Sequence, residues 1–150
     1  MKTNAAKSIT ISNSVAETKK LAAAFSQKLK KLPALIILNG DLGAGKTQWA
    51  QGFIQKYIGA KTVVTSPTYS LMNAYKKGAK EVYHFDLYRL QSEDDLESTG
   101  FWDFLEKKHV LLVEWGEKLP RQWPNQVNVF EVTITSQSET KREILTQKIS

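Results

Sequence analysis

The chain has 150 residues, no cysteine, 41% hydrophobic residues and a formal net charge of +6. Without cysteine it offers neither a disulfide scaffold nor a thiolate metal site, and no window approaches the ~18 consecutive apolar residues of a membrane span. Met1–Ser8 is polar with no apolar stretch behind it, unlike a secretory leader, and the length suits one domain over residues 1–150, so the expectation is a cytoplasmic protein, monomeric when isolated.

The charge is uneven. Residues 1–80 hold thirteen Lys/Arg against Glu17 and Asp41, whereas residues 81–150 hold eight against thirteen acids. A basic half suits phosphates, RNA or an acidic partner. Lys19, Lys20, Lys28, Lys30 and Lys31 cluster around one predicted helix, however, and that favours a solvated helix face. Only Arg89, Arg121 and Arg142 are arginine, fewer than base readout would use.

In chain order, Ser8–Ser12 alternates around Ile9 and Ile11 as a short strand. Ser14 offers a helix cap with Glu17 as its capping-box partner, and Leu21, Phe25 and Leu29 carry helical spacing from Val15 to about Lys30. Ala34–Leu38 is an apolar strand, and Gln48–Ile58 reads as a helix. Pro67 makes the segment around it extended or turning. Tyr69–Tyr75 is a candidate strand, followed by a turn at Lys76-Lys77-Gly78. Glu81–Tyr88 alternates, with Val82, His84, Asp86 and Tyr88 on one face. Ser92 caps two short helices, Glu93–Thr99 and Phe101–Lys107, broken at Gly100. Val110–Val113 reads as a buried parallel strand ending at Glu114. Val127–Ile134 and Arg142–Ile149 are strands joined by a polar loop at Gln137–Thr140. The expected architecture is α/β and three-layered, with a mainly parallel central sheet that carries antiparallel C-terminal edge strands.

Between the first apolar strand and its helix lies Gly40-Asp41-Leu42-Gly43-Ala44-Gly45-Lys46-Thr47, which fits G-x-x-x-x-G-K-[ST] in the required strand–loop–helix setting. Glycines let backbone N–H groups turn inward around phosphates, and the helix N-terminus adds partial positive charge. In such a loop Lys46 reaches the β/γ-phosphates and the Thr47 hydroxyl sits on Mg²⁺. The motif therefore predicts a nucleoside triphosphate ligand and makes the expected fold a P-loop NTPase fold.

A nucleotide hydrolase also needs a carboxylate at the end of a second buried strand. Glu114 ends Val110–Val113, with one methylene more than the usual Asp, and Asp86 stands near the end of the other strong strand. His84 and Asp86 at i, i+2 resemble metal ligands, but with only His109 besides and no cysteine a zinc site is not expected. His84 reads as a hydrogen-bonded structural residue or a partner of Asp86. Trp115 suits either a nucleobase stack or the core. Thr65, Ser66 and Thr68 beside Pro67 suit a switch segment or a plain capped loop.

The runs Gly40–Thr47, Ser66-Pro67-Thr68-Tyr69, His84-Phe85-Asp86-Leu87-Tyr88-Arg89 and Leu112-Val113-Glu114-Trp115 together resemble the TsaE (YjeE) family. These are bacterial ATPases required for N6-threonylcarbamoyladenosine at position 37 of tRNA. The resemblance covers residues 40–115; H-F-D-L-Y-R and V-E-W are its specific parts. It implies ATP held along Asp41, Gly43, Ala44, Gly45, Lys46, Thr47 and Gln48, with Mg²⁺ on Thr47 and Glu114. It also implies Thr68 in a switch-like loop, Asp86 near the phosphates or metal, Trp115 beside the nucleotide, and Lys46, Glu114 and Asp86 as the catalytic set. The implied partners are TsaD and TsaB, whose complex the hydrolysis would reset, with tRNA contacted indirectly. Gln48 replaces a frequent second Thr, and Gly116 stands where Pro is common.

No arginine is obviously placed as a finger, so weak solo activity is expected; Arg89 is the internal candidate. A small-molecule or nucleoside kinase is the first rival, but Lys118–Arg121 is its one candidate for a basic lid. A nucleotide switch that does not hydrolyse is the second. A GTPase is disfavoured because no Asn-Lys-x-Asp run occurs.

Overall fold

The computed structural model describes residues 7–150, so six residues of the polar Met1–Ser8 run lie outside it. Seven strands are described: β1 (Lys7–Ser12), β2 (Ala34–Asn39), β3 (Met72–Lys77), β4 (Lys80–Asp86), β5 (Val110–Glu114), β6 (Asn128–Ser136) and β7 (Arg142–Lys148). They form one sheet in the order β1-β7-β6-β2-β5-β4-β3. Strands β6, β2, β5 and β4 run parallel, in the register Ala34↔Asn128, Ala34↔Val110 and Val82↔Val110. Strand β7 is antiparallel to β6 as expected; β1 pairs outside it, and β3 adds an antiparallel hairpin at the other edge.

Helices α1 (Val15–Lys28) and α2 (Lys46–Tyr57) cover one face, and the short α3 (Glu93–Ser98) and α4 (Phe101–Leu105) cover the other. This follows from the buried β2 and β5, whose side chains alternate between two apolar cores. Ile36, Leu38, Val110 and Leu112 join Ala22, Trp49 and Phe53 of α1 and α2. Leu35, Ile37, Leu111 and Val113 join Leu96, Phe101 and Leu105 of α3 and α4. Phe25 meets Trp49 edge-on at 5.4 Å, and Trp49 stacks on Phe53 at 5.7 Å, which locks the first layer together.

Local signals account for most boundaries. Ser14 Oγ accepts from the Glu17 amide at 3.1 Å, while the Glu17 carboxylate takes the Asn13 amide at 2.6 Å, one residue earlier than a strict capping box. The expected Tyr69–Tyr75 strand begins at Met72, because the Pro67 carbonyl accepts from the Leu71 amide and closes a turn first. The turn expected at Lys76-Lys77-Gly78 is the two-residue Gly78-Ala79: Lys76 and Lys77 remain paired in the strand. Ser92 caps α3, and Gly100, at φ 78°, separates α3 from α4.

Candidate nucleotide site

Residues Gly40–Gly45 turn from the end of β2 into α2. The Ala44 amide donates to the Asp41 carbonyl at 3.0 Å, and Gly45 caps α2 at φ 111°, a conformation that L side chains rarely adopt. No side chain caps α2, so its first-turn amides point out of the helix, free for an anion. The Lys46 side chain, 6% exposed, folds back so that Nζ donates to the Gly40 carbonyl at 2.7 Å and lies 4.0 Å above the centre of the Trp115 ring.

A cleft of about 440 Å³ opens here. It is lined by Leu42, Gly43, Gly45, Lys46, Thr47, Gln48, Ser66, Thr68, Asp86, Tyr88, Glu114 and Trp115. The parallel register sets Asp86 beside Glu114 at the C-terminal ends of β4 and β5, the edge at which open α/β sheets bind ligands. Both carboxylates are buried, at 5% and 4% exposure. Their partners differ. Asp86 has both oxygens engaged: Oδ2 accepts from Thr68 Oγ1 at 3.1 Å and Oδ1 from the Tyr88 amide at 2.9 Å. Glu114 engages Oε2 with His84 Nε2 at 2.7 Å, and among the described residues nothing donates to Oε1.

His84 is thus hydrogen-bonded as expected, but to Glu114 rather than Asp86. The longer glutamate reaches back diagonally across the strand pair, whereas Asp86 is short and already occupied.

The proposed switch residues separate. Ser66 and Thr68 share a hydrogen bond of 2.7 Å and line the cleft, whereas Thr65 is held away from it by Tyr75 and Asn73. Asp41 does not line the cleft; its carbonyl closes the loop's turn. Arg89 lies 4.7 Å over the exposed Tyr69 ring, and no arginine lines the cleft among the described residues. The candidate lid residues are tied down elsewhere: Lys118 donates to the Tyr88 and Leu90 carbonyls, and Arg121 pairs with Glu131.

Trp115 adopts φ 62°, unusual for a bulky residue, and this turns the chain sharply after β5. The next residue must be glycine for a different reason. A Cβ on Gly116 would fall well inside van der Waals contact of Ile37 Cγ2, on the buried central strand. Proline there would carry the same atom.

Two further features were not legible in the sequence. A second hollow of about 230 Å³ lies beyond the loop, lined by Ser14, Val15, Thr18, Glu139, Thr140 and Arg142 together with Gly43, Ala44, Gly45 and Gln48. Arg142 Nε donates to the Ala44 carbonyl at 2.8 Å, bracing the loop from the β6–β7 hairpin. The sole hint was an arginine in a lysine-rich chain.

Among the described residues no group of three or more His, Cys, Asp or Glu could hold a metal by itself, and no helix is long and apolar enough to cross a membrane. Thr47 and Glu114, hard oxygen donors lining one cleft, fit Mg²⁺, which takes a carboxylate and completes its shell from water and phosphate.

The sheet order, the glycine loop and the carboxylates at the strand ends define a three-layer α/β P-loop NTPase fold. The match to known proteins narrows that class. Residues 12–144 match the family model described as "Threonylcarbamoyl adenosine biosynthesis protein TsaE", and the chain belongs to the TsaE family. It is 43% identical over 105 residues to the tRNA threonylcarbamoyladenosine biosynthesis protein TsaE of Rickettsia conorii, covering 70% of this chain and 59% of that one. The Rickettsia bellii relative of the same name is 37% identical over 133 residues, covering 89% and 90%. The Bacillus subtilis relative is 36% identical over 125 residues, covering 83% and 73%. The crystal structure of YdiB from Bacillus subtilis superposes with a TM-score of 0.74 at 25% identity, covering 99% of this chain and 90% of that one.

Proposed function

We propose that the chain is a Mg²⁺-dependent ATPase that serves the threonylcarbamoyladenosine modification of tRNA position 37, acting with a TsaB–TsaD complex to drive its turnover. The observation that carries this reading is the open Oε1 of Glu114, in one cleft with Lys46 and Thr47, in a chain of the TsaE family. Triphosphate oxygens take the amides of Gly43–Thr47, and Lys46 exchanges the Gly40 carbonyl for them. Thr47 and Glu114 would hold Mg²⁺, which when bound neutralises charge on the β- and γ-oxygens. Gly43, Gly45 and Gln48 line both the cleft and the second hollow, so the nucleoside end extends towards Ser14, Thr18 and Arg142.

Asp86 acts on the other wall, fixing Thr68 and with it the Ser66–Thr68 loop next to the γ-phosphate. The absence of arginine from the cleft lining among the described residues supports weak activity alone and stimulation by the partner. It also counts against a kinase, as do the engaged Lys118 and Arg121.

The test is ATP hydrolysis by the purified chain, alone and with a TsaB–TsaD complex, with Glu114→Ala as control. Stimulation that disappears in the variant is the expected result. Tight ATP binding without stimulated hydrolysis would overturn the reading in favour of a switch.

A further inference from the structure

We propose that His84 is the positioning residue of the Glu114 carboxylate, holding Oε2 so that Oε1 is presented to the metal; the inference rests on the ATPase reading above. His84 is fully buried and does not line the cleft, so it acts on bound nucleotide only through Glu114. Its Nε2 lies 2.7 Å from Glu114 Oε2, the spacing of a charge-assisted hydrogen bond. Its Nδ1 is buried with no partner among the described residues.

Between the two neutral tautomers, and with Glu114 as the carboxylate that a metal would take, those two facts select one. With the proton on Nδ1, a buried N–H would go unsatisfied and two acceptors would face each other across 2.7 Å. With the proton on Nε2, the imidazole donates to the carboxylate, and all that remains unpaired is one lone pair. The ring is a donor to Glu114.

A glutamate needs such a donor more than an aspartate would. It has an extra methylene and one more torsion to immobilise before its carboxylate can hold a fixed direction. The backbone cannot do this: the Glu114 carbonyl is spent on the Leu87 amide, which aligns the strand ends but leaves the side chain free. Asp86, beside Glu114 in the register, has both oxygens already accepting, from Thr68 and from the Tyr88 amide. Among the described residues His84 is the one side chain hydrogen-bonded to Glu114.

Partners that orient a metal-binding carboxylate typically account for 10–100-fold in metal affinity or activity. The test uses His84→Gln, His84→Asn and His84→Leu. Glutamine carries its amide nitrogen at about the depth of the imidazole Nε2, whereas asparagine is of similar polarity but too short to reach Glu114. Mn²⁺ binding is measured by electron paramagnetic resonance in the presence of the β,γ-imido analogue of ATP, alongside metal-free analogue binding and kcat.

His84→Asn and His84→Leu are expected to weaken Mn²⁺ binding about tenfold or more and to lower kcat in step. Metal-free nucleotide binding should stay within about twofold, and His84→Gln should recover most of the loss. Should the leucine variant fail to fold, the Gln/Asn pair carries the comparison. Equal behaviour of Gln and Asn, in either direction, would overturn the proposal. A wild-type chain whose hydrolysis depends on Glu114 but not on His84 would sink the positioning role alone. If the wild type neither hydrolyses ATP nor binds Mn²⁺ with the analogue, the ATPase reading itself falls.

Discussion

The Lys46 ammonium lies 4.0 Å above the Trp115 ring while it donates to the Gly40 carbonyl, so one cation is held between an aromatic face and the loop. On the function proposed above, binding ATP would move that charge onto phosphate and away from the indole. Tryptophan emission should therefore change on adding ATP, and the change should vanish in Trp115→Phe although Trp49, Trp102 and Trp123 remain. Lys46→Ala removes a charged hydrogen bond worth about 1.5–3 kcal/mol, so affinity should fall roughly 10–100-fold in a fluorescence or calorimetric titration.

Glu114 and Asp86 are neighbours in the register with different tasks, and their amide variants should differ accordingly. If Glu114 holds Mg²⁺ as proposed, Glu114→Gln should lower kcat by about 100-fold or more while sparing metal-free nucleotide binding, since the charge that would hold the metal is lost. Asp86→Asn keeps one oxygen to accept from the Tyr88 amide and turns its NH₂ towards the Thr68 hydroxyl, which can accept in its place, so kcat should stay within about tenfold. Steady-state kinetics against Mg²⁺ concentration separates the two, and equal losses would contradict the division of labour.

Gly116→Ala tests the crowding beneath Trp115. The new methyl meets Ile37, a β-branched residue with little rotamer freedom on a fully buried strand. Overpacking of this kind costs about 1–3 kcal/mol, or roughly 2–12 °C in Tm for a chain of this size. Calorimetry reads it directly. The apparent KM for ATP should rise too, because Trp115 shifts.

Glu81 gives a pH-dependent contribution. Burial pushes its carboxyl up, but the hydrogen bond from Lys76 and the charges of His109 and Lys76 outweigh that and hold it below the ordinary 4.5. A depressed carboxyl stabilises the fold above its unfolded value and loses that contribution as pH falls through the folded one. Glu81→Gln should lower Tm at pH 7, and the difference from wild type should shrink below about pH 4. A difference that persists unchanged at pH 3 would contradict the assignment.

The phosphate loop, the buried strands and the strand-end carboxylates were legible because each is a local pattern. Gly40–Thr47 has fixed spacing, Val110–Val113 is an unbroken apolar run, and Asp86 follows an alternating strand. The His84–Glu114 pair was not, because its members are 30 residues apart and meet only when β4 and β5 align. From the sequence His84 read either as a hydrogen-bonded structural residue or as a partner of Asp86, the carboxylate near it in the chain. Arg142 escaped for the same reason. The edge was misjudged at Tyr69–Leu71, where a turn at φ 70° on a leucine has no glycine to announce it.

The hydrogen bond from Arg142 to the Ala44 carbonyl spans 98 residues, and β2, which carries the loop, needs β6 as its neighbour. A chain growing from the ribosome contains all eight residues of the loop well before Asn128 is made. It cannot brace that loop until residues 128–142 have emerged. On the nucleotide-binding reading, a ribosome stalled before Asn128 should display the whole motif and still capture little nucleotide, binding appearing only as the β6–β7 hairpin closes on the loop.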